Sequence, residues 1–180
     1  MPEAESLGAL ISKIKGHAPE PKVGLPQELF YYVSETTPLI NVDLLIKDAQ
    51  GRVLLTWRDD QFYGPAWHIP GGIIRFKETM ESRIHQVALR ELRAQVRYHA
   101  TPVSVTELMN TERDVRGHFI SLLFACELTS LPDPAKAYLG QGVPVPGQWA
   151  WHDGAPKNLL SVHEKFRVHI DNPDTHPIRP

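Results

Sequence analysis

Nineteen consecutive residues, Glu78 to Val96, contain neither glycine nor proline, although the chain carries 12 glycines and 16 prolines among its 180 residues. Within that run Met80, Ile84, Ala88 and Leu92 step by four, which sets them on one face of a helix. Pro70-Gly71-Gly72 lies just upstream, so the chain enters this predicted helix over Glu78–Val96 from a Gly-Gly turn. A helix with one apolar stripe has to cover another element, and the flanking sequence supplies strands.

Ile40, Val42, Leu44 and Ile46 alternate with Asn41, Asp43 and Leu45, a strand pattern. Asp48-Ala49-Gln50-Gly51 reads as a turn and Arg52 to Trp57 as its hairpin partner. Trp67-His68-Ile69 is a short strand that ends at the Gly-Gly turn, and Val103 to Asn110 and His118 to Leu128 are two more. A loop rich in Pro and Gly spans Leu131 to Gly147, followed by a last strand, Gln148 to Trp151, and a closing helix, Leu159 to Ile170. Strands, helix, strands, helix predicts an α/β fold with a mixed sheet sandwiched between helices. Upstream, Leu7, Leu10, Ile11 and Ile14 recur at helical spacing with Lys13 and Lys15 opposite, Gly16 ends that helix, and Pro19, Pro21 and Pro26 form a linker. A second short helical pattern covers Gln27 to Ser34. The expected organisation is a helical extension and linker over 1–36, a core domain over 37–170 and a tail over 171–180, mobile from Asn172 onward. The first helix lies outside the core and is expected to pack on a second copy, giving a homodimer.

A net charge of -2 argues against nonspecific nucleic-acid binding. The single cysteine, Cys126, sits in an apolar run and reads as a buried thiol, with no intrachain disulfide to form. No apolar stretch reaches 18 residues, and the acidic start, Met1 to Ser6, is unlike a signal peptide. The expectation is a cytoplasmic protein with no membrane partner.

Gly72 is followed by five residues and Glu78, and Glu91 lies further along the same predicted helix. Glycines let backbone approach a phosphate and free a carbonyl for a metal. Carboxylates three or four apart share a helix face and hold a hard cation such as Mg²⁺ through oxygen. This pattern resembles the Nudix family, whose box runs Gly, five residues, Glu, seven residues, Arg-Glu, an apolar residue, one residue, Glu-Glu, one residue, Gly. Counted from Gly72, the Arg-Glu pair falls on Gln86-Val87 and the Glu-Glu pair on Arg90-Glu91. A shift by four puts Arg-Glu on Arg90-Glu91 and Glu-Glu on Ala94-Gln95. The shift moves a residue about 6 Å along a regular helix, so the count from the glycines favours Glu91 as ligand, with Gln95 one turn further out.

The region Leu25 to Leu92 is similar to the GDP-mannose mannosyl hydrolases within that family, on Leu25-Pro26-Gln27-Glu28-Leu29-Phe30, Thr37-Pro38-Leu39-Ile40-Asn41-Val42-Asp43, Gly51-Arg52-Val53-Leu54-Leu55, Trp57-Arg58 and, in the closing helix, Ser161-Val162-His163. The resemblance implies a Nudix-type α/β/α sandwich and a Mg²⁺-dependent hydrolase (Mn²⁺ as the other ion) of a nucleoside diphosphate derivative, with a nucleotide sugar such as GDP-mannose as substrate. Its metal ligands would be Gly71, Glu91 and Gln95, its catalytic carboxylates Glu91 and Glu78, and its substrate contacts Asp43, Arg58 and Arg75. Arg58 either faces the diphosphate or pairs with Asp59-Asp60 at the surface. The subgroup's Gln-His pair before the last strand has no histidine here, although Gln141 or Gln148 could reach a metal and His152 follows the strand. Phe62, Tyr63 and Trp67 flank Gly64-Pro65 and could stack on a base or serve the core. The alternative function is a degenerate domain that binds a nucleotide without efficient hydrolysis.

Overall fold

The computed structural model describes residues 5–173 and 175. Its elements are helices α1 (Leu7–His17) and α2 (Gln27–Thr36), strands β1 (Leu39–Ile46), β2 (Val53–Arg58), β3 (Ala66–His68) and β4 (Gly71–Ile73), helix α3 (Met80–Val87), strands β5 (Val96–Tyr98), β6 (Ser104–Met109), β7 (His118–Leu128) and β8 (Trp149–His152), and helix α4 (Arg167–Asp171). Strand β1 runs parallel to β7 from Leu39–Phe119 to Ile46–Cys126 and antiparallel to β4. The other edge of β7 carries β6 and then β5. A second sheet has the order β3-β2-β8.

Layers on both sides of β1 explain why most of this strand is apolar. Val42, Leu44 and Ile46 join Ile84, Val87, Ala88 and Leu92 in one core. Leu45, one residue out of phase, joins Trp67, Phe166 and Ile170 in another. Each such fully buried aliphatic side chain contributes about 1.5–3 kcal/mol. The mixed sheet between helices is therefore the architecture the element order predicts. Among the described residues no helix is long and apolar enough to cross a membrane.

Helix α3 departs from the expected Glu78–Val96. Thr79 starts it, its hydroxyl accepting from Ser82 N–H at 3.1 Å, and the regular helix ends at Val87. Residues Ala88–Leu92 form one π turn, and Arg93 stops the chain in the left-handed region at φ 56°. Asp133 N–H then takes the Leu92 carbonyl at 2.8 Å, and Val96–Tyr98 pairs with β7. No glycine or proline marks this stop; pairing with β7 overrides helix propensity. Gly71–Ile73, read from sequence as turn, is also a strand. The closing helix is a 3-10 stretch, Ser161–Phe166, continued by α4.

Helix α1 has no buried residue, and Leu7 is 72% exposed. At the other end, Lys47 Nζ donates to the Asn172 carbonyl, so the expected mobile tail is tethered where it begins. The rest of that expectation, apart from 173 and 175, lies outside the described residues, as do positions 1–4 of the acidic start.

Candidate active site

Strand β4 lies antiparallel on β1 with Gly71 opposite Asp43. Leu44 N–H donates to the Pro70 carbonyl at 2.8 Å and Ile74 N–H to the Ile40 carbonyl at 2.9 Å. This phase makes Asp43–Gly71 a non-hydrogen-bonded pair, so the ladder leaves both backbone groups of Gly71 free. The N–H goes to Glu91 Oε1 at 3.1 Å, and the carbonyl is open to a ligand. A Cβ at Gly71 would collide with Asp43 Oδ1, and one at Gly72 would stand 2.9 Å from Val87 Cγ2. Neither glycine has a positive φ. They are needed for lack of a side chain, one to admit the Asp43 carboxylate and the other to admit α3.

Glu91 and Asp43 thus flank Gly71. Glu91 hangs from the π turn, a quarter of its side-chain surface open. Its Oε2 accepts from the Thr56 hydroxyl at 3.0 Å. Burial pushes its carboxyl up to about 7, against the Thr56 and Gly71 bonds and the Arg58 charge, and with the charge of Asp43. Asp43 is 1% exposed and accepts from Asn41 Nδ2 at 2.8 Å and from Ser121 Oγ. Burial pushes it up to about 6 despite both bonds.

A cavity of about 480 Å³ opens on this pair, reached also by Arg58, His68, Arg116 and His163. The pairing of β2 with β3 sets Thr56 opposite His68, with Thr56 Oγ1 2.9 Å from His68 Nε2. Thr56 thereby stands between Glu91 and His68, whose Nδ1 lies 2.9 Å from the Ile69 carbonyl. Burial, and then the Arg58 charge, pull His68 down to about 4. His163 Nδ1 accepts from Ile69 N–H at 3.1 Å, so its proton is on Nε2. Burial holds it well below the usual histidine range.

The structure brings together Gly71, Asp43, Arg58 and Glu91, and sets three sequence candidates elsewhere. Glu78 does not line the cavity. Its Oε2 accepts from Arg83 Nη2 at 2.6 Å, Arg83 Nε at 2.9 Å and Arg75 N–H at 3.0 Å. Burial alone would push this carboxyl up, but those donors outweigh it and hold it below the usual carboxylate range. Glu78 is therefore bound to Arg83 and stands away from the cavity wall. Arg75 turns its guanidinium to the Lys22 and Val23 carbonyls, clipping the linker to the core rather than contacting the cavity. Gln95 is exposed beyond the end of the helix, and its N–H donates to Ser130 Oγ at 2.9 Å. The π turn and the Arg93 stop end the helix before Gln95, so the further turn expected to carry it does not form. Gln141 and Gln148 also stay out of the cavity wall, with Gln148 Oε1 accepting from Val145 N–H. Arg58 pairs with Asp60 at 2.6 Å and also lines the cavity.

The aromatic expectations divide. Trp67 is core. Tyr63 is 9% exposed and lines the cavity, and His152 packs edge-on against Trp67 at 4.7 Å. Sequence reasoning missed Thr56 and His68, which the pairing of β2 with β3 brings together, and Arg116, whose loop carried no pattern.

Among the described residues no three His, Cys, Asp or Glu side chains gather as a metal cage. The donor set still fits a divalent cation of the Mg²⁺ kind, which binds through one or two carboxylates and completes its shell with water and substrate phosphate. Glu91, Asp43 and the free Gly71 carbonyl are all hard oxygen donors beside one another, and burial pushes both carboxylates up.

A NUDIX domain model matches residues 37–152. Low-salt glycan biosynthesis protein Agl8 of Haloferax volcanii is 27% identical over 118 residues, 63% of this chain and 74% of that protein. Among solved structures, a MutT NUDIX hydrolase from Burkholderia pseudomallei superposes with TM-score 0.55 at 19% identity, covering 75% of this chain and 97% of that one. A UDP-X diphosphatase gives TM-score 0.53 at 17% identity, over 91% of this chain and 76% of that one.

Proposed function

Because this chain belongs to the Nudix family, hydrolases of nucleoside diphosphate derivatives, we propose that it is a Mg²⁺-dependent hydrolase of a nucleotide sugar such as GDP-mannose. The observation that carries this reading is the meeting of Asp43, Glu91 and the unpaired Gly71 carbonyl on a cavity walled by Arg58. The glycan biosynthesis role printed for the Haloferax volcanii relative supports the sugar.

In this reading Glu91, Asp43 and Gly71 would hold the cation, and the Thr56 hydroxyl would fix the Glu91 carboxylate. A bound cation neutralises the diphosphate as charge moves to the leaving group. Arg58 offers the diphosphate a planar fork of donors. The Tyr63 ring, 4.5 Å from the Arg58 guanidinium, keeps that fork in place. A homodimer through the exposed apolar face of α1 belongs to the same reading, and deletion of residues 1–20 should then lower the mass in solution from two copies to one. A cytoplasmic location goes with the single buried cysteine.

The test is incubation with Mg²⁺ and GDP-mannose, with UDP- and ADP-sugars alongside, followed by ³¹P NMR of the products and Glu91→Gln as control. Turnover of a nucleotide sugar that needs both Mg²⁺ and Glu91 is the expected result. Turnover untouched by the substitution removes the metal role of Glu91. Ligand-induced stabilisation with no product favours the binding-only alternative, for which Arg90 beside Glu91, a cation in place of the second carboxylate, is the motivating observation.

A further inference from the structure

The cavity has a positively charged wall remote in sequence from the glycine turn. The turn between β6 and β7 is closed by Asn110 N–H on the Gly117 carbonyl at 2.7 Å, and it carries Arg113 and Arg116. The Arg113 guanidinium lies 4.0 Å from the centroid of the Tyr63 ring, the ring on which Arg58 also packs. The Arg116 guanidinium lies 4.9 Å from the Phe62 centroid and 5.7 Å from that of Phe30. Three elements fix Arg116: its N–H donates to Ser34 Oγ of α2 at 3.1 Å, its carbonyl accepts from the Tyr63 hydroxyl at 3.3 Å, and its own backbone sits at φ 55°.

Asp59 and Asp60 line the cavity beside Arg58, but among the described residues the two arginines of the turn have no carboxylate partner. Arg58 has Asp60. Among the described residues neither Arg113 nor Arg116 has a carboxylate within 4.0 Å. Arg116 Nε and Arg113 Nη1 are buried with no hydrogen-bond partner. A guanidinium taken out of water with its donors unmet is costly unless an anion meets it. Burial first, and then the Arg58 charge, hold Arg116 below the usual arginine range.

We propose that Arg116 and Arg58 form an oxyanion subsite of the cavity that takes a phosphate group of the ligand, with Tyr63 and Arg113 as the stacked support that fixes Arg58. Both arginines line the cavity that Glu91 and Asp43 enter, so a diphosphate spans from the carboxylate end to the arginine end. Two planar forks suit phosphate oxygens in a way that lysines would not. The assignment rests on the nucleoside diphosphate reading for the identity of the ligand but needs neither a particular base nor a particular sugar.

The test is calorimetric titration of inorganic pyrophosphate into the full chain in EDTA, comparing wild type with Arg116→Gln and Arg116→Lys, each checked by thermal melting. Wild type is expected to bind. Arg116→Gln is expected to raise Kd by about 10- to 100-fold, the loss of one or two charge-assisted hydrogen bonds, and Arg116→Lys by less. With a turned-over substrate, Arg116→Gln should raise KM. Equal pyrophosphate affinity in all three proteins, or no binding by wild type, overturns the subsite. Should Arg116→Gln melt early, Arg116→Lys alone decides, since it keeps the charge and the stem packed on Phe62 while losing the fork; affinity equal to wild type overturns the proposal. Pyrophosphate binding through Arg116 without turnover of any nucleotide sugar keeps this inference and removes the substrate reading. Turnover with KM indifferent to Arg116 does the reverse.

Discussion

Glu78 and Glu91 stand at the two ends of one helical segment and belong to the same sequence motif, yet their surroundings give them opposite characters. Glu78 meets the Arg83 guanidinium at 2.6 Å and the Arg75 N–H at 3.0 Å, so its charge is satisfied before any ligand arrives. Glu91 has one hydroxyl and one N–H, no arginine within ion-pair distance among the described residues, and Asp43 as an acidic neighbour. A carboxylate whose charge is already met holds structure together; one whose charge is unmet is available to a cation. Residue type and motif spacing do not separate these roles, whereas the position of one arginine does.

The comparison breaks most sharply on turnover. Glu91→Gln should lower kcat by about 10²–10⁴-fold, the range for a positioned charged group at the reacting centre. Glu78→Gln should leave kcat within about tenfold at temperatures where it stays folded. Equal losses in steady-state kinetics would show that Glu78 shares the chemistry.

Stability should rank the two glutamates the other way. Glu78 and Arg83 have side chains 11% and 6% exposed, and removing one partner of such a pair costs about 3–5 kcal/mol. Arg83→Met should therefore lower Tm by about 6–20 °C at pH 7. Because Glu78 is held below its ordinary 4.5, its contribution is present above that pH and is lost as pH falls. Melting curves of wild type and Arg83→Met should converge in acid, and a constant gap down to pH 3 would mean that packing, not charge, is what Arg83 supplies.

This division was only partly legible in the sequence. Alternation over Ile40–Ile46 announced β1, although that strand is buried on both faces from Val42 to Ile46. The glycine pair announced the site, although for a different physical reason: Gly71 and Gly72 avoid Asp43 and Val87 rather than adopt positive φ. The count from Gly72 put Glu91 on the cavity wall, although that residue sits within the π turn and not on a regular helix. Gln95 went astray because the π turn and the left-handed Arg93 depend on pairing of Val96–Tyr98 with β7, thirty residues downstream. Arg83 was invisible as a partner for Glu78, since no expected motif position carries it. Arg116 was invisible because an irregular turn, not a periodic element, brings it to Tyr63.

A smaller effect concerns the linkage of Glu91 to folding. Its carboxyl is raised from 4.5 to about 7, so its contribution to stability is full below about pH 4.5 and is lost as pH rises through about 7. Glu91→Gln should thus match wild type near pH 4 and exceed it by about 3–4 kcal/mol at pH 8, at about 1.4 kcal/mol per unit. Chemical denaturation at both pH values checks this. The gain should vanish when saturating Mg²⁺ is added to wild type, since a bound cation stabilises the carboxylate that burial penalises. A Gln variant that is less stable than wild type at pH 8 without metal would place Glu91 with Glu78, as a carboxylate that the fold itself requires.

The smallest expected effect tests what Thr56 does between Glu91 and His68. Thr56→Val keeps the shape of this 1% exposed side chain and removes the hydroxyl that lowers the Glu91 carboxyl. Burial then meets less opposition, and the Glu91 carboxyl titrates at higher pH. At pH 7 the variant should lose about tenfold in kcat/KM, the lower end for loss of a group that orients a metal ligand, and most of the loss should return by pH 9 as Glu91 ionises. A loss that is uniform with pH would mean that the hydroxyl orients Glu91 without tuning it. No loss at any pH would mean that the Gly71 N–H alone holds Glu91 in place, and the contrast with Glu78 would then rest on a single backbone hydrogen bond.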